Sequence, residues 1–290
     1  MEAKLSGNTV QETPVAEQKP AKKNNNPFKY VSTKEKIIYG VIGLIAFSTF
    51  AMLIWILSYI FMKGIGHVNI AGLMPAIITT IYMVLMGLVI AVPVGMGTSI
   101  YLSEYAKQSK FVKSLRFAIE CLAAVPSILF GLFGMMFFVT QLKMGYSILA
   151  GGLTVALMIL PTVVKTTEEA LKTVPLSYRE GSLALGASKF ATIMKVVLPS
   201  AVPGILTGIV FSTGRIIGET AAIYLTAGMV FRVPSNVMES GRTLSVHLYM
   251  LAKEGISLEE AYGTAIVLLL VVLTLNLLTY VIGRKMKHGK

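Results

Sequence analysis

Long stretches without a charged residue constrain this chain more than any other feature. Ile37–Met62 contains no charged residue, and neither does Gly64–Ser103. About 20 apolar residues are enough for a helix to cross the hydrocarbon core of a bilayer, so each stretch predicts at least one membrane span. Only 14% of the residues are charged, whereas soluble domains carry about 25%. The chain is therefore predicted to be an integral membrane protein.

The apolar sequence accounts for six helical spans. They are expected over residues 37–62, about 64–103, about 121–142, 144–164, about 199–225 and 261–283. The second stretch is too long for one crossing, so we expect its helix to start at Pro75 and to bend or break at Pro93, before Tyr101. A broken span usually lines a cavity, because the freed backbone groups need partners.

Lysine and arginine residues favour one orientation in the bilayer. Twenty of the 26 fall in segments 1–36, 105–116, 165–195 and 284–290, which lie on one side of this arrangement of spans. Cytoplasmic segments carry the excess of positive charge, so these segments and both termini are predicted to be cytoplasmic, in a plasma-membrane protein. Residues 1–36 are expected to form a disordered tail, and residues 284–290 a short basic tail. The net charge of +12 is thus an orientation signal rather than a sign of nucleic-acid binding.

A polar loop over residues 226–260 separates the last two spans and is predicted to be external. Leu244, Leu248 and Leu251 recur in it at helical spacing. This spacing predicts a short amphipathic helix that lies at the membrane interface.

The sequence contains no recognisable catalytic or metal-binding constellation. His67, His247 and His288 lack the spacing of metal ligands. Cys121 is the only cysteine, which excludes a disulfide within the chain. Glu168 is expected on a solvated helix face. No G-x-x-x-x-G-K-[ST] motif occurs, so the chain is not expected to bind nucleotide phosphates or to be an enzyme.

A polar segment between the fourth and fifth spans carries several capping and turn signals. Ser177 and Glu180 have the spacing of a capping box, which predicts a helix start at Ser177. Gly186 is placed to end that helix as a left-handed residue. Ser188 can cap a second helix, after which Pro199 is expected to force a new direction. The segment is therefore predicted to form a compact elbow between two spans.

The order of residues in this elbow resembles the EAA loop of ABC-importer permeases. Glu180, Gly186, Leu198 and Pro199 stand at the spacing of that motif. A glycine and a serine replace its two usual alanines, so small residues are retained. In the family, the loop is a cytoplasmic coupling helix that docks into a groove of the ATP-hydrolysing subunit. The resemblance implies this role for residues 177–198 and an ATPase-coupling role for the four motif residues.

Two further segments resemble PstA-type phosphate permeases within the same superfamily. They are IYLSEYA at Ile100–Ala106 and GRIIGETAAIYLTAG at Gly214–Gly228. The resemblance covers roughly residues 71–283, which would form the permease domain after a first transmembrane helix and external loop at 37–70. It implies an all-α integral membrane protein with six transmembrane helices, in the MetI-like architecture of type I ABC importers.

The resemblance also implies a multi-subunit complex. The chain would form a heterodimer with a PstC-like permease subunit and would bind two copies of a PstB-like ATPase. A PstS-like protein would deliver phosphate from outside. ATP and Mg would be used by the partner ATPase, and this chain itself would bind no cofactor and no metal.

Arg215 and Glu219 are the only strong charges well inside a predicted span. An arginine at mid-membrane costs about 2.5–3.5 kcal/mol on insertion scales, so its presence needs a reason. At positions i and i+4 the two residues share a helix face and can pair. They could form a structural ion pair. Alternatively, Arg215 could bind an oxyanion in the substrate path while Glu219 holds it, with Thr220 as an added hydroxyl donor.

Three other functions remain open on sequence grounds. The chain could be a permease for another oxyanion or small solute. It could be a secondary transporter driven by an ion gradient, although such a protein would show inverted repeats and midplane carboxylates beyond Glu219. It could also be a signalling or scaffold protein that only senses an importer.

Overall fold

A computed structural model describes residues 33–107 and 109–288 of the protein. All regular structure within these ranges is helical, as the sequence predicted. The first 32 residues of the expected N-terminal tail lie outside the described residues, and a helix begins at Thr33. Gly289 and Lys290, the end of the C-terminal tail, also lie outside.

The chain divides into two compact units, Met1–Trp55 and Ile56–Lys290. Helix α1 (Thr33–Gly64) supplies the described part of the first unit and runs into the second. The remaining helices belong to the second unit. They are α2 (Ile70–Ile100), α3 (Lys110–Ala124), α4 (Ser127–Gly134), α5 (Ile148–Thr173), α6 (Leu176–Ala184), α7 (Lys189–Thr192), α8 (Leu198–Gly218), α9 (Ala221–Thr226), α10 (Leu244–Lys253) and α11 (Leu258–His288).

Three helices continue into wider π-helical segments, in which each backbone amide donates a hydrogen bond to the carbonyl five residues earlier. These segments are Tyr101–Tyr105 after α2, Met135–Gln141 after α4 and Ile193–Val197 between α7 and α8. A short 3₁₀ turn, Ile65–His67, follows α1.

Five described helical stretches are long and apolar enough to cross a membrane. They are Ile37–His67, Ile70–Tyr105, Ile148–Thr173, Lys189–Gly218 and Leu258–Leu278. A sixth crossing is obtained when Lys110–Ala124 and Ser127–Gln141, which are bent by 100° from each other, are taken as one broken span. The predicted six-span architecture is thus met by five long helices and one bent pair.

The breaks in these helices lie at other prolines than predicted. Pro75 and Pro93 both lie inside α2, which runs from Ile70 to Ile100, so the helix start predicted at Pro75 and a break at Pro93 are both wrong. Membrane helices tolerate an internal proline when neighbouring groups and local π geometry satisfy the freed backbone. Pro126 instead divides the predicted third span, because a proline disfavours helical geometry in the residue before it. That residue, Val125, is extended, with ψ of 130°.

The ends of the bundle can be assigned from contacts distant in sequence. At one end, the π-helical segment after α2 meets the elbow through an ion pair of Glu104 with Arg179. At the other, the amide of Ser147 donates to the carbonyl of Thr226 over 3.1 Å. We call these the elbow end and the far end.

The short helix predicted in the 226–260 loop is present as α10. Leu244 and Leu251 are buried, and Leu244 packs in a core cluster with Leu73 of α2 and Val267 of α11. The helix therefore packs into the far end of the bundle through its apolar side.

Helices α5 and α8 approach closely because glycines of α8 face α5. A Cβ atom at Gly208 would lie 2.0 Å from Thr166 Oγ1 and 2.7 Å from Thr166 Cβ. A Cβ atom at Gly204 would lie 2.6 Å from the Cβ of Ala170. Small residues at such positions are the usual device for packing membrane helices.

We expect Gly208→Ala to destabilise the protein by about 1–3 kcal/mol, because the added methyl group overpacks the α5–α8 contact. A side-chain rotation of Thr166 cannot relieve this clash, since its Cβ is also too close. Gly214→Ala, also in α8, is the matched control. A Cβ there meets no atom within 4 Å, and alanine favours the helix over glycine by up to about 1 kcal/mol. Thermal unfolding of the purified chain in detergent measures both effects, and equal midpoints for the two variants would contradict the packing argument.

Candidate coupling elbow and substrate path

The first elbow helix, α6, begins one residue earlier than predicted. Pro175 occupies the N-cap position, and no side chain caps the helix, so the predicted capping box of Ser177 and Glu180 is wrong. The fixed backbone of Pro175 starts the helix instead, and its carbonyl accepts the amide of Tyr178 over 3.2 Å. Glu180 is exposed and has no hydrogen bond or ion pair within the described part of the chain.

The turn between the two elbow helices follows the prediction. Gly186 has φ of +82°, a left-handed conformation in which a side chain is disfavoured. The amide of Ala187 donates to the carbonyl of Ser182 over 3.2 Å, as in a Schellman termination. Ser188 Oγ then accepts the amide of Ala191 over 3.2 Å and caps α7. Local sequence therefore specifies this turn.

Pro199 does not turn the chain, which corrects the prediction for the second elbow helix. Helix α7, the π-helical segment after it and α8 form one helical stretch, Lys189–Gly218. Pro199 lies in the first turn of α8, where a missing amide is tolerated. Leu198 and Pro199 therefore lie inside a continuous helix that joins the elbow to the fifth span.

Arg179 attaches α6 to the rest of the bundle. Its Nη2 and Nε atoms lie 2.7 and 3.2 Å from Glu104 Oε1. It also donates to the carbonyls of Val174 and Leu171, over 2.8 and 2.9 Å. Sequence reasoning missed this group, although Arg179 directly precedes Glu180 of the EAA-like motif and Glu104 lies within IYLSEYA.

A second ion cluster lies beside it. Glu168 is buried and accepts hydrogen bonds from Arg116 and, over 2.7 Å, from Lys172. Arg116 also donates to the carbonyl of Leu102. The prediction that Glu168 lies on a solvated face is therefore wrong, because α3 folds back over this part of α5.

The elbow exposes several large apolar side chains. Leu185 is 91% exposed and Leu176 65% exposed. The set, which we call the elbow surface, comprises Leu176, Tyr178, Leu183, Leu185, Phe190 and Met194. Exposed apolar surface of this kind marks an interaction site.

The fifth span ends earlier than predicted, and this changes the environment of Glu219. Helix α8 stops at Gly218, and Glu219 is extended, with ψ of 129°. The Glu219 carboxylate caps α9 by accepting the amide of Ala222 over 3.0 Å. Its carbonyl accepts Ser245 Oγ over 2.6 Å. The predicted pairing of Glu219 with Arg215 is therefore wrong, because the helix that would align them has ended.

Arg215 consequently keeps most of its donors available. It is half-buried, and its hydrogen bond within the described residues is a long contact of 3.5 Å from Nη1 to Thr162 Oγ1. A guanidinium has five N–H donors. Thr220 lies directly beyond the break and uses no side-chain bond to cap α9. Of the three predicted path residues, Arg215 and Thr220 keep side-chain donors for a ligand, whereas the Glu219 carboxylate is used to cap α9 at the helix break.

Known proteins resemble the chain over most of its length. The family described as "Binding-protein-dependent transport system inner membrane component" matches residues 91–288. The probable ABC transporter permease protein YqgI of Bacillus subtilis is 32% identical over 84% of this chain and 92% of its own length. The phosphate transport system permease protein PstA of Haemophilus influenzae is 32% identical over 88% of this chain and 95% of its own length.

Solved structures share the fold at lower identity. A chain of a bacterial ABC transporter involved in the import of the acidic polysaccharide alginate aligns with a TM-score of 0.65 and 14% identity, covering 87% of this chain and 96% of that one. A chain of the MetNI methionine ABC transporter, in an inward-facing conformation, aligns with a TM-score of 0.59 and 18% identity, covering 75% and 95%. The predicted MetI-like architecture is thereby confirmed.

The family match includes the elbow, the continuous helix after it and the segment around Arg215. Members of this family are multi-pass permeases that act with an ATPase and a substrate-binding protein. The chain therefore belongs to the inner-membrane permease components of binding-protein-dependent ABC transport systems, in the branch of the PstA permeases.

Proposed function

We propose that the protein is the permease subunit of an ATP-driven importer that moves inorganic phosphate into the cell. The observation that carries this proposal is Arg215, a half-buried arginine in a membrane helix that has no carboxylate partner among the described residues. A charged side chain within a membrane span marks a candidate functional site, and the unused donors of Arg215 suit an oxyanion. The phosphate transport named in its PstA relatives agrees with this chemistry.

Phosphate suits the donors of this site. The planar guanidinium can donate two parallel hydrogen bonds to two oxygens of one phosphate, and such charge-assisted bonds are about twice as strong as neutral ones. Thr220 adds a hydroxyl at the break between α8 and α9. Glu219 serves a different purpose from the one predicted, because its carboxylate caps the start of α9 and forms no ion pair with Arg215 in the described part of the chain.

The elbow is proposed to receive force from the ATPase. In this proposal the elbow end faces the cytoplasm, in agreement with the distribution of lysine and arginine. Glu180 and the elbow surface dock into the groove of the ATPase, and the left-handed turn at Gly186 sets the angle between the two docked helices. Leu198 and Pro199 lie within the continuous helix that leads to Arg215.

The complete importer is proposed to contain four kinds of subunit. This chain pairs with a PstC-like permease and contacts one of two PstB-like ATPases, while a PstS-like protein delivers phosphate at the far end. ATP and Mg act in the ATPase, and this chain carries no nucleotide site. ATP brings the two ATPases together and opens the path outward, and hydrolysis returns it to the inward-open state.

Reconstitution tests the proposal directly. We expect proteoliposomes that contain the four proteins to accumulate radiolabelled inorganic phosphate only with ATP on the ATPase side, and to lose this activity when the chain is omitted. An ionophore that dissipates ion gradients should have no effect. Phosphate import that continues without the chain would reject the proposal, and uptake of sulfate in place of phosphate would identify a permease for another oxyanion.

A further inference from the structure

We propose that Arg179 is a positioning residue that fixes the elbow helix α6 to the ends of α2 and α5, so that these three elements move as one body during transport. The inference rests on the proposed function, because it concerns how force on the elbow reaches the membrane spans. The coupling motif itself does not include Arg179.

The contacts of Arg179 join three separate parts of the chain. The side chain belongs to α6. Both Nε and Nη2 bind Glu104 in the π-helical segment that ends α2, with Nη2 at 2.7 Å. Nη1 and Nη2 also donate to Val174 and Leu171 at the end of α5. Four hydrogen bonds from one guanidinium thus meet at the point where α2, α5 and the elbow come together.

Burial makes this joint stiffer than a surface ion pair. The side chains of Arg179 and Glu104 are only 19% and 10% exposed. Exposed ion pairs contribute little because water and side-chain entropy oppose them, whereas a partly buried arginine with several partners loses little freedom per bond. The carbonyl of Leu171 lies in the last turn of α5, where a cation is favoured by the helix dipole.

The spans that Arg179 reaches are themselves tightly joined. Ser99 Oγ of α2 donates to the carbonyl of Val164 in α5 over 2.7 Å. A Cβ atom at Gly95 would lie 2.7 Å from Val163 Cγ1, so the two helices are in close contact there. A force applied to α6 therefore passes through Arg179 into a pair of helices that cannot easily slide past each other.

The first test measures coupling in the reconstituted importer. We expect Arg179→Gln to lower the phosphate transported per ATP hydrolysed by about tenfold, because a neutral amide cannot replace the branched charged fork. Glu104→Gln should have a smaller effect in the same direction, and the double variant should be no worse than Arg179→Gln. Arg232→Gln is the matched control, since the exposed Arg232 side chain forms a long ion pair of 3.5 Å with Glu239 outside the elbow, and its loss should leave the ratio unchanged.

The second test measures the joint itself. Spin labels at Ala184→Cys in α6 and Lys107→Cys after α2, in a Cys121→Ser background, report the distance between the elbow and the end of α2. In the otherwise wild-type complex this distance should stay constant between the nucleotide-free and ATP-trapped states. In Arg179→Gln its distribution should broaden. A labelled complex that transports phosphate while this distance changes with nucleotide would overturn the inference.

The two proposals fail in different ways. If the wild-type complex neither hydrolyses ATP nor imports phosphate, the proposed function is wrong. If it does both, and Arg179→Gln has the coupling ratio and distance distribution of the wild type, only the role of Arg179 is wrong. Should Arg179→Gln fail to assemble, Arg179→Lys keeps the charge without the fork, and we expect it to show a partial loss of coupling.

Discussion

Replacing Arg215 by glutamine is expected to lower the initial rate of phosphate uptake by about 100-fold. Two charge-assisted hydrogen bonds to the passing anion are lost, each worth about 1.5 kcal/mol or more, and about 1.4 kcal/mol corresponds to a factor of ten. Arg215→Lys should retain part of the rate, because it keeps the positive charge and loses the two-pronged geometry. Radiolabelled phosphate uptake into proteoliposomes at equal amounts of assembled complex measures the effect.

The control for Arg215 is its neighbour across the helix contact. Thr162→Val removes the hydroxyl that lies 3.5 Å from Arg215 Nη1 and preserves the shape of the side chain. We expect this variant to transport at close to the wild-type rate, since the bond is long. Near-normal uptake by Arg215→Gln would instead assign Arg215 to a structural role, and the scaffold interpretation would then gain support.

The second large effect is expected at the elbow surface. Leu185→Asp should reduce the amount of ATPase that co-purifies with the permease by at least about tenfold. An apolar side chain buried at an interface contributes about 1.5–3 kcal/mol, and an aspartate there adds the cost of burying a charge. Leu185 is 91% exposed and supports no core of its own, so the fold of the isolated chain should be unaffected.

An exposed apolar residue outside the elbow provides the comparison. Val237 is 45% exposed, and its carbonyl accepts the amide of Leu149 near the start of α5. Val237→Asp introduces the same charge and should leave ATPase association intact. Equal co-purification of the ATPase with Leu185→Asp and Val237→Asp would mean that the elbow surface is not where the ATPase binds.

The elbow shows which features can be predicted from sequence. The turn at Gly186 and the cap at Ser188 depend on atoms only a few residues away, and both appear as predicted. The capping box at Ser177 fails because Pro175, two residues earlier, already starts the helix. Local signals are reliable when no nearer signal competes with them.

Features that depend on distant residues were mispredicted or missed. Pro93 and Pro126 are the same residue type with opposite outcomes, because Pro93 lies inside the continuous helix α2 whereas Pro126 follows the extended residue Val125 at a helix break. Just after the early end of α8, the carbonyl of Glu219 accepts a hydrogen bond from Ser245, which is 26 positions away. Arg179 and Glu104 are 75 positions apart. No periodicity within one helix contains this information.

The continuity of Lys189–Gly218 has a mechanical consequence for substrate release. Arg215 lies about 39 Å along the axis from Lys189, at 1.5 Å per residue. A tilt of about 5° at the base of such a lever arm would carry the guanidinium sideways by about 3 Å, the length of one hydrogen bond. A tilt of this helix that is too small to disrupt its packing would therefore be enough to break the hydrogen bonds between Arg215 and a bound anion.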